Sequence, residues 1–444
     1  MQRKSISPRQ RLWLSSVRFD SSIGHVFYNE RLFRWVRVNP AGKALLMAFS
    51  GGAIPREVLL RVGEGTQQSV SDMEKPALDF IKLMVSRGIL SVEAPEKQAP
   101  LTIPDRLEAS LRDIYLNVTD LCNLNCSYCY DRYDRRVRRT VGKRRLSVPQ
   151  WKDALAQTKQ IGATRAIFTG GEPLLFPNLK ELATCAKQLG FKIHLLTNGT
   201  LLGSADVSGL CELFDRIQVG LDPGPDGPPE PAAQGIIALF KAGKHGLSMD
   251  PVLTRQTIDY YPRYREWANE LLPGVPIRPT IYVPNSASPA DIAMLPSRHQ
   301  VQSHILKAHS DDDVHPTALP GGDVPMPRYH CGAGVSTLCI AFDGSVYPCQ
   351  SLQRDDYLAG NILEQRITDI WENSEVFSML RGLTVAAIEG CSSCSLRLVC
   401  GGGCRASALN TQGDIRAQNR PLCDLLLRDL AIEQIAASAT ETVN

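Results

Sequence analysis

Long apolar runs are absent from this sequence of 444 residues. No stretch of about 18 apolar residues occurs, so we expect no membrane-spanning helix. The basic N-terminus lacks the apolar segment and the small-residue cleavage site of a secretory signal, which predicts a cytoplasmic protein. A strong charge of one sign is also absent, because 49 Lys and Arg residues face 46 Asp and Glu residues. We therefore expect neither nucleic acid nor a membrane as a partner.

Cysteine is missing from the first 121 residues and abundant afterwards, with 13 cysteines in the chain. Three lie within residues 122–129, two stand alone at positions 185 and 211, and eight lie between residues 331 and 423. In a reducing compartment, closely spaced cysteines are typical of metal sites. The two isolated cysteines lie in predicted helices, where we expect them to pack as small apolar residues. This distribution predicts three regions with different roles.

The three regions also differ in their secondary-structure patterns. Residues 17–98 are predicted to form a small module of two or three strands with helices, closed by a Pro-rich linker. In residues 112–325 six short apolar strands alternate with helices, which indicates the α/β class and a partial (β/α)6 TIM-like barrel. Residues 326–430 are rich in cysteine and poor in strands, apart from a hairpin through Asp343 and Gly344. Metal is expected to hold this last region together.

Unusual loops follow the first four strands of the predicted barrel. Active sites of parallel α/β folds lie at the carboxyl ends of the strands, so these loops should form one site. Three cysteines can hold three corners of an iron–sulfur cubane and leave its fourth iron open, as in a catalytic metal site. A ligand with an amine and a carboxylate could chelate that iron, and Glu172 could accept a hydrogen bond from its ammonium group. The four loops contain Cys122, Cys126 and Cys129; Gly170, Gly171, Glu172 and Pro173; Thr197, Asn198 and Gly199; and Gly220, Leu221 and Asp222.

The CxxxCxxC spacing, with Tyr128 before its last cysteine and GGEP at 170–173, resembles the radical S-adenosylmethionine superfamily. By that resemblance, Cys122, Cys126 and Cys129 bind a 4Fe–4S cluster whose fourth iron is chelated by the methionine moiety of S-adenosylmethionine. Electron transfer from the cluster then yields a 5′-deoxyadenosyl radical that abstracts hydrogen from a substrate. Relatives often have serine where this chain has Gly220, which leaves the contact after the fourth strand open. A structural zinc site is the alternative. The implied cofactor contacts are Tyr128, Gly170, Gly171, Glu172, Pro173, Thr197, Asn198 and Asp222.

The C-terminal cysteines follow the pattern C-x2-C-x5-C-x3-C-x18-C from Cys391, preceded by Cys331, Cys339 and Cys349. This arrangement resembles the SPASM extension of radical enzymes that act on peptides. The resemblance implies two auxiliary clusters, one bound by Cys391, Cys394, Cys400 and Cys423, the other by Cys331, Cys349 and Cys404. Cys339 is a further candidate ligand of the second cluster, and a buried strand position is its alternative role. Two zinc ribbons are the alternative for the whole region.

The N-terminal module is similar to the PqqD-like precursor-peptide recognition domains. In that family a leader peptide adds as an extra strand to an exposed sheet edge. The candidate edge here is 31–38, with Phe33 and Trp35 as possible contacts, and a generic winged-helix-like module is the alternative. The matching residues are Val38, Asn39, Gly42, Leu45, Leu46, Leu83, Gly88, Ile89 and Leu90.

Together these resemblances imply a radical S-adenosylmethionine enzyme that modifies a ribosomally made precursor peptide carrying a leader. A thioether or carbon–carbon crosslink is favoured over epimerisation, because an auxiliary cluster could accept the electron that an oxidative crosslink leaves. A flavodoxin- or ferredoxin-type protein is the expected electron donor, and the basic stretch 131–145 is either its docking surface or a solvated loop. The alternatives are a sulfatase-maturase-like or haem-modifying oxidase and a non-catalytic iron–sulfur or peptide-binding protein.

Overall fold

The computed structural model describes residues 9–21, 24–66, 70–98, 101–130, 144–306, 327–423 and 442–443. The strands are β1 (Trp13–Leu14), β2 (Val17–Ser21), β3 (Gly24–Asn29), β4 (Arg34–Val38), β5 (Leu90–Ser91), β6 (Asp113–Thr119), β7 (Arg165–Gly170), β8 (Lys192–Thr197), β9 (Arg216–Val219), β10 (Leu247–Met249), β11 (Val252–Leu253), β12 (Thr280–Ile281), β13 (Thr337–Ile340), β14 (Ser345–Tyr347), β15 (Gly360–Asn361) and β16 (Thr442–Val443).

The helices alternate with the strands through the middle of the chain and replace them in most of the C-terminal region. They are α1 (Pro40–Met47), α2 (Pro55–Thr66), α3 (Val70–Ser86), α4 (Val148–Gln160), α5 (Leu179–Gln188), α6 (Val207–Leu213), α7 (Glu230–Lys241), α8 (Tyr261–Leu271), α9 (Pro289–Ala293), α10 (Arg298–Val301), α11 (Ile367–Asn373), α12 (Glu375–Arg381), α13 (Arg397–Cys400), α14 (Arg405–Gln412) and α15 (Arg420–Leu422). Among the described residues, no helix has the length and apolar character needed to cross a membrane.

The central sheet has the strand order β10-β9-β8-β7-β6-β13-β14-β15 within the described residues. The strands from β10 through β6 to β13 pair in parallel, and β14 and β15 continue the sheet in antiparallel fashion. Alternate residues Ile114, Leu116 and Val118 of β6 belong to the core that helices α4 and α5 share, so the residues between them lie on the opposite face. The predicted α/β class is confirmed.

The sixth predicted strand is shorter than the sequence pattern indicated. Its chain segment runs beside β10 through hydrogen bonds between Met249 and residues 276 and 278, with N···O distances of 3.0 and 2.8 Å. It then pairs with β11 as the two-residue strand β12, outside the central sheet. Pro276, Pro279 and Pro284 have no backbone N–H to donate, and this limits the length of regular strand pairing.

The predicted hairpin through Asp343 and Gly344 forms as β13 and β14, with Gly344 in the left-handed region at φ +88°. Strand β13 also pairs with β6, with Thr337 opposite Asp113 and Ile340 opposite Leu116. The Cys-rich region therefore contributes the three strands β13, β14 and β15 to the central sheet. This connection was not part of the sequence prediction, and the boundaries 112–325 and 326–430 stay predictions.

The N-terminal module places β2, β3 and β4 in an antiparallel sheet, and β16 pairs in parallel with Arg37 and Val38 of β4. Helix α1 begins after Asn39, whose side chain accepts a hydrogen bond from the Gly42 N–H at 2.8 Å and caps the helix. The core of the N-terminal module joins β3 and β4 to helices α1, α2 and α3, with Phe27 and Leu46 fully buried.

The other face of this N-terminal sheet packs against the Cys-rich region. On β3, Phe27 faces the helices of its own module, whereas Val26 and Tyr28 contact Leu396 and Val399. The same cluster includes Phe19, Phe33, Trp35 and Cys394. Phe33 and Trp35, predicted as peptide contacts, thus take part in a contact within the chain, where their rings stack edge to face at 5.5 Å.

Candidate functional site

The loop with Cys122, Cys126 and Cys129 begins directly after β6, as predicted. The thiols are half-buried, and the Cys129 N–H donates to the Cys126 carbonyl at 3.3 Å. Asn285 supports the end of the loop, since its side-chain amide donates to the carbonyls of Tyr128 and Cys129 at 3.4 and 3.2 Å. Asn285 lies after the sixth predicted strand, and nothing in the sequence identified it.

The glycines at the end of β7 hold the next loop close to the cysteine loop. The Gly171 N–H donates to the Thr119 carbonyl, and the Glu172 N–H donates to the Leu121 carbonyl, both at 2.7 Å. A Cβ at position 171 would overlap the carbonyl oxygen of Leu121, and Gly170 has a φ of +132°. This close approach of two backbones explains why the sequence needs two glycines here.

Replacing Gly171 with alanine is expected to destabilise the chain by about 1–3 kcal/mol, because the added methyl group collides with fixed backbone. Gly220→Ala is the matched control. A Cβ at Gly220 meets only the Thr197 carbonyl, at the ordinary contact distance of 3.7 Å, and its φ is not in the left-handed region. Urea denaturation of both variants measures the difference. Equal stabilities would contradict the backbone contact at Gly171.

Glu172 joins the loop after β7 to the loop after β8. Its side chain is 1% exposed, and Oε1 accepts hydrogen bonds from the Thr197 hydroxyl at 2.7 Å and the Leu174 N–H at 3.0 Å. Its Oε2 accepts from the Asn198 N–H at 2.8 Å. Burial raises the pKa of Glu172, and these hydrogen bonds oppose that shift. Pro173 follows and begins the short 3-10 turn Pro173–Leu175.

The loop after β8 reaches the cysteine loop through Asn198. Its side-chain amide donates to Asn123 Oδ1 at 2.9 Å and lies 3.9 Å from Cys122 Sγ. The Asn123 side chain in turn donates to the Thr200 hydroxyl at 2.8 Å. Neither Asn123 nor Thr200 was among the predicted site residues, although both stand beside predicted ones in the sequence.

Asp222 brings the loop after β9 to the same place. One carboxylate oxygen accepts a hydrogen bond from the Val252 N–H at 2.7 Å, and the other is contacted by the Tyr128 hydroxyl. Burial raises the pKa of Asp222 to about 6, and the hydrogen bond from Val252 opposes the shift. The Gly220 N–H donates to the Thr197 carbonyl at 2.8 Å. All four predicted loops therefore meet at one end of the sheet.

The raised pKa of Asp222 predicts a specific pH dependence. Because the folded state disfavours the carboxylate, stability is lost as pH rises from the ordinary pKa of 3.8 towards about 6. Asp222→Asn cannot ionise, so its free energy of unfolding relative to the original chain should increase over this range, by up to about 3 kcal/mol. Urea denaturation of both proteins at the two ends of this range measures the difference. A constant difference would contradict the buried carboxylate.

The C-terminal cysteines separate into two groups. Burial raises the pKa of the Cys349 thiol, and the nearby thiolates of Cys404 and Cys331 raise it further. In the second group, burial raises the pKa of Cys400 to about 11, with contributions from its neighbours Cys391, Cys423 and Cys394. Cys331, Cys349 and Cys404 share an apolar cluster to which Cys391 also belongs, so the two sets that the SPASM pattern implied lie side by side. The assignment of ligands to each set stays a prediction.

Cys339 lies elsewhere. It is fully buried on β13 in a separate cluster with Tyr115, Ala341 and Tyr347. This is the buried strand position considered as its alternative role. The isolated Cys185 and Cys211 pack at the edge of the barrel core, also as expected.

The donor chemistry of the three cysteine groups fits iron–sulfur clusters. Among the described residues, no three His, Cys, Asp or Glu side chains come close enough to share a single metal ion. In a cubane cluster each thiolate binds its own iron, so a group of three or four neighbouring thiols matches its needs. Of the basic stretch 131–145, residues 131–143 lie outside the described residues, and Arg145 donates to Asp120 Oδ1 at 2.7 Å.

Two family models match the regions that form this site. The model of the radical SAM superfamily matches residues 116–249, and the model of the SPASM iron–sulfur cluster-binding domain matches residues 331–395. The chain is a radical SAM enzyme with a SPASM domain. Its cofactors are S-adenosylmethionine, a 4Fe–4S cluster and auxiliary iron–sulfur clusters, which confirms the prediction from sequence. The PqqD-like assignment of the N-terminal module stays a prediction.

Among curated proteins, the chain is similar to peptide cyclases. The PqqA peptide cyclase of Gluconobacter oxydans is 28% identical over 331 residues, which are 69% of this chain and 89% of that protein. The PqqA peptide cyclase of Streptomyces rochei is 28% identical over 349 residues, covering 73% and 93%. The crystal structure of Streptococcus suis SuiB bound to the precursor peptide SuiA shares the fold, with a TM-score of 0.56 and 13% identity over 95% of this chain and 100% of SuiB.

Proposed function

We propose that this enzyme crosslinks side chains of a ribosomally synthesised precursor peptide. One observation carries the proposal: three thiols stand in the loop after the carboxyl end of β6, in a site assembled from four loops, while seven further thiols lie in two neighbouring groups in the Cys-rich region. The names of the curated relatives, which act on the peptide PqqA, support a peptide substrate.

Cys122, Cys126 and Cys129 would hold the 4Fe–4S cluster and leave one iron for S-adenosylmethionine. When bound, these groups supply a radical that abstracts hydrogen from the substrate. The residues of the chain position that chemistry. Glu172 fixes the loop after β8 against the loop after β7, and Asp222 fixes Tyr128 beside Cys129.

Crosslinking is supported by the number of thiols in the SPASM domain. Forming one bond between two side chains removes two hydrogen atoms, of which the radical takes one with its electron. The second leaves as a proton, and its electron needs an acceptor. The groups Cys391, Cys394, Cys400 and Cys423, and Cys331, Cys349 and Cys404, would hold two auxiliary clusters as acceptors. A flavodoxin- or ferredoxin-type protein would supply the reducing electron for each turnover.

Mass spectrometry of the short peptide encoded beside this gene, co-expressed with and without the enzyme, tests this function. We expect the mass of two hydrogen atoms to be lost for each crosslink. An unchanged mass together with S-adenosylmethionine cleavage would favour epimerisation and contradict crosslinking. An unmodified peptide without cleavage would contradict both.

The edge of β4 would receive the leader of the peptide. An extended peptide gains main-chain hydrogen bonds by adding to an exposed strand. In the described residues, β16 already occupies this edge at Arg37 and Val38 and leaves Arg34–Val36 open. A leader that uses the whole edge must therefore displace β16.

A chain that ends at residue 440 lacks β16 and should bind the precursor peptide more tightly, because no strand has to be displaced. Fluorescence anisotropy with a labelled peptide measures the affinity of the full and shortened chains. A scrambled peptide of the same composition is the control. Equal affinities of the two chains would contradict leader binding at the full edge of β4.

A further inference from the structure

The two cysteine groups of the SPASM domain meet where the segment before Cys331 crosses helix α13. The Arg328 N–H donates to the Leu398 carbonyl at 2.7 Å. A Cβ at Gly401 would lie 2.9 Å from the His330 carbonyl oxygen and 3.2 Å from Arg328 Cβ, and Gly401 itself has a φ of +67°. The backbone leading to one group therefore lies directly against the end of the helix that carries Cys400.

Arg328 places a cation at this crossing, in addition to Arg397 of helix α13, which pairs with Glu30. Its Nη1 is buried and has no hydrogen-bond partner among the described residues. Burial lowers the pKa of Arg328, and the thiolates of Cys400 and Cys331 oppose that shift. The guanidinium group is thus near one cysteine of each group. Leaving a buried N–H without an acceptor costs free energy, and an acceptor on a bound group would remove that cost.

Arg405 provides an instructive contrast, because it is also near cysteines of both groups. Burial and neighbouring thiolates shift the pKa of Cys391 and of Cys404 upward, and Arg405 opposes both shifts. Its guanidinium donates to backbone carbonyls within residues 402–417, among them Ala417 at 2.7 Å. Arg405 is therefore occupied in shaping the loop, whereas Arg328 has an N–H group available.

We infer that Arg328 is a positioning residue shared by the two auxiliary clusters. Its unpartnered Nη1–H donates towards them, and its positive charge stabilises their reduced forms. This inference rests on the proposed ligand sets. Hydrogen bonds to cluster sulfur and nearby charge both set the reduction potential of an iron–sulfur cluster. When a cluster takes up one electron it gains one negative charge, so a neighbouring cation raises its potential.

Arg328→Gln and Arg328→Lys in the reconstituted full chain test the inference. Titration with dithionite, followed by electron paramagnetic resonance, measures the reduction potential of each cluster, and iron analysis measures their retention. We expect Arg328→Gln to lower the potentials of both auxiliary clusters and to leave the radical SAM cluster unchanged. Arg328→Lys should retain most of the original potential, since it keeps the charge. Arg354→Gln is the matched control, because it removes an exposed cation of the same domain that donates to Asn410.

Unchanged potentials with full iron content in Arg328→Gln would overturn the inference, and so would a shift at one auxiliary cluster alone. Loss of iron from both Arg328 variants would also overturn it and assign a purely structural role. An iron content of about four per chain in the unaltered protein would contradict the auxiliary ligand sets themselves. That result separates a failure of the proposed function from a failure of the role given to Arg328.

Discussion

Replacing Cys126 with alanine is expected to abolish the formation of 5′-deoxyadenosine from S-adenosylmethionine. Two thiols remain in the loop after β6, too few to hold a cubane with a single open iron, so the iron content should fall by about four per chain. Anaerobic reconstitution, reduction with dithionite and chromatographic detection of 5′-deoxyadenosine measure the effect. The auxiliary clusters, bound far along the chain, should be retained.

Cys185→Ala provides the control for this substitution. Cys185 lies on helix α5, partly buried against the barrel core and outside the three cysteine groups. Its loss removes one small apolar contact and should change neither the iron content nor the rate of cofactor cleavage. Cleavage by Cys126→Ala at the original rate would refute the assignment of the radical site to this loop.

Deleting residues 1–98 is expected to remove iron from the SPASM domain as well as the proposed peptide site. The N-terminal sheet covers Leu396 and Val399 with Val26 and Tyr28, in the same cluster as Cys394. Glu30 also pairs with Arg397 at 3.0 Å, close to the cysteines of the second group. Exposure of this apolar surface should loosen the segment that carries Cys394 and release one auxiliary cluster, about four iron atoms per chain.

Iron analysis and absorption spectra of the reconstituted deletion protein measure this effect. Glu30→Gln is the control, because it removes the charge of the ion pair and keeps the apolar cover, so its iron content should be unchanged. A deletion protein with full iron content would show that the SPASM domain holds its clusters alone. Deletion of residues 1–98 changes both the proposed peptide site and the iron content of the SPASM domain. Peptide affinity is therefore better compared with the chain that ends at residue 440.

Local sequence patterns predicted the parts of this fold that depend on neighbouring residues. The strands before the four site loops were predicted because each is a short apolar run that ends at glycine or polar residues. The glycines at 170 and 171 were identified by motif, and the contact with Leu121 gives their physical reason. The two sets of C-terminal cysteines came from the resemblance to the SPASM extension, and spacing alone did not divide them.

Contacts between distant segments could not be read from local patterns. The sequence identified Glu172 and Asp222. The hydrogen bond of Glu172 with Asn198 and the contact of Asp222 with Tyr128 form only when the four strands lie side by side. Val26 and Phe27 are adjacent apolar residues on opposite faces of β3, and the sequence did not reveal that the Cys-rich region covers the face with Val26. Arg328 carried no motif, and only its burial beside two cysteine groups distinguishes it.

The pairing of β13 with β6 has a consequence for the synthesis of the protein. The two strands are separated by more than two hundred positions, so β6 leaves the ribosome long before its neighbour. At usual rates of translation the delay is about 10–45 s. During that time the edge of β6 presents unpaired N–H and carbonyl groups, which favour pairing with other chains. Slower translation initiation, which leaves fewer nascent chains on each message, should therefore increase the soluble yield, and so should additional chaperones. A radical SAM core expressed without β13 would keep this edge of β6 exposed permanently.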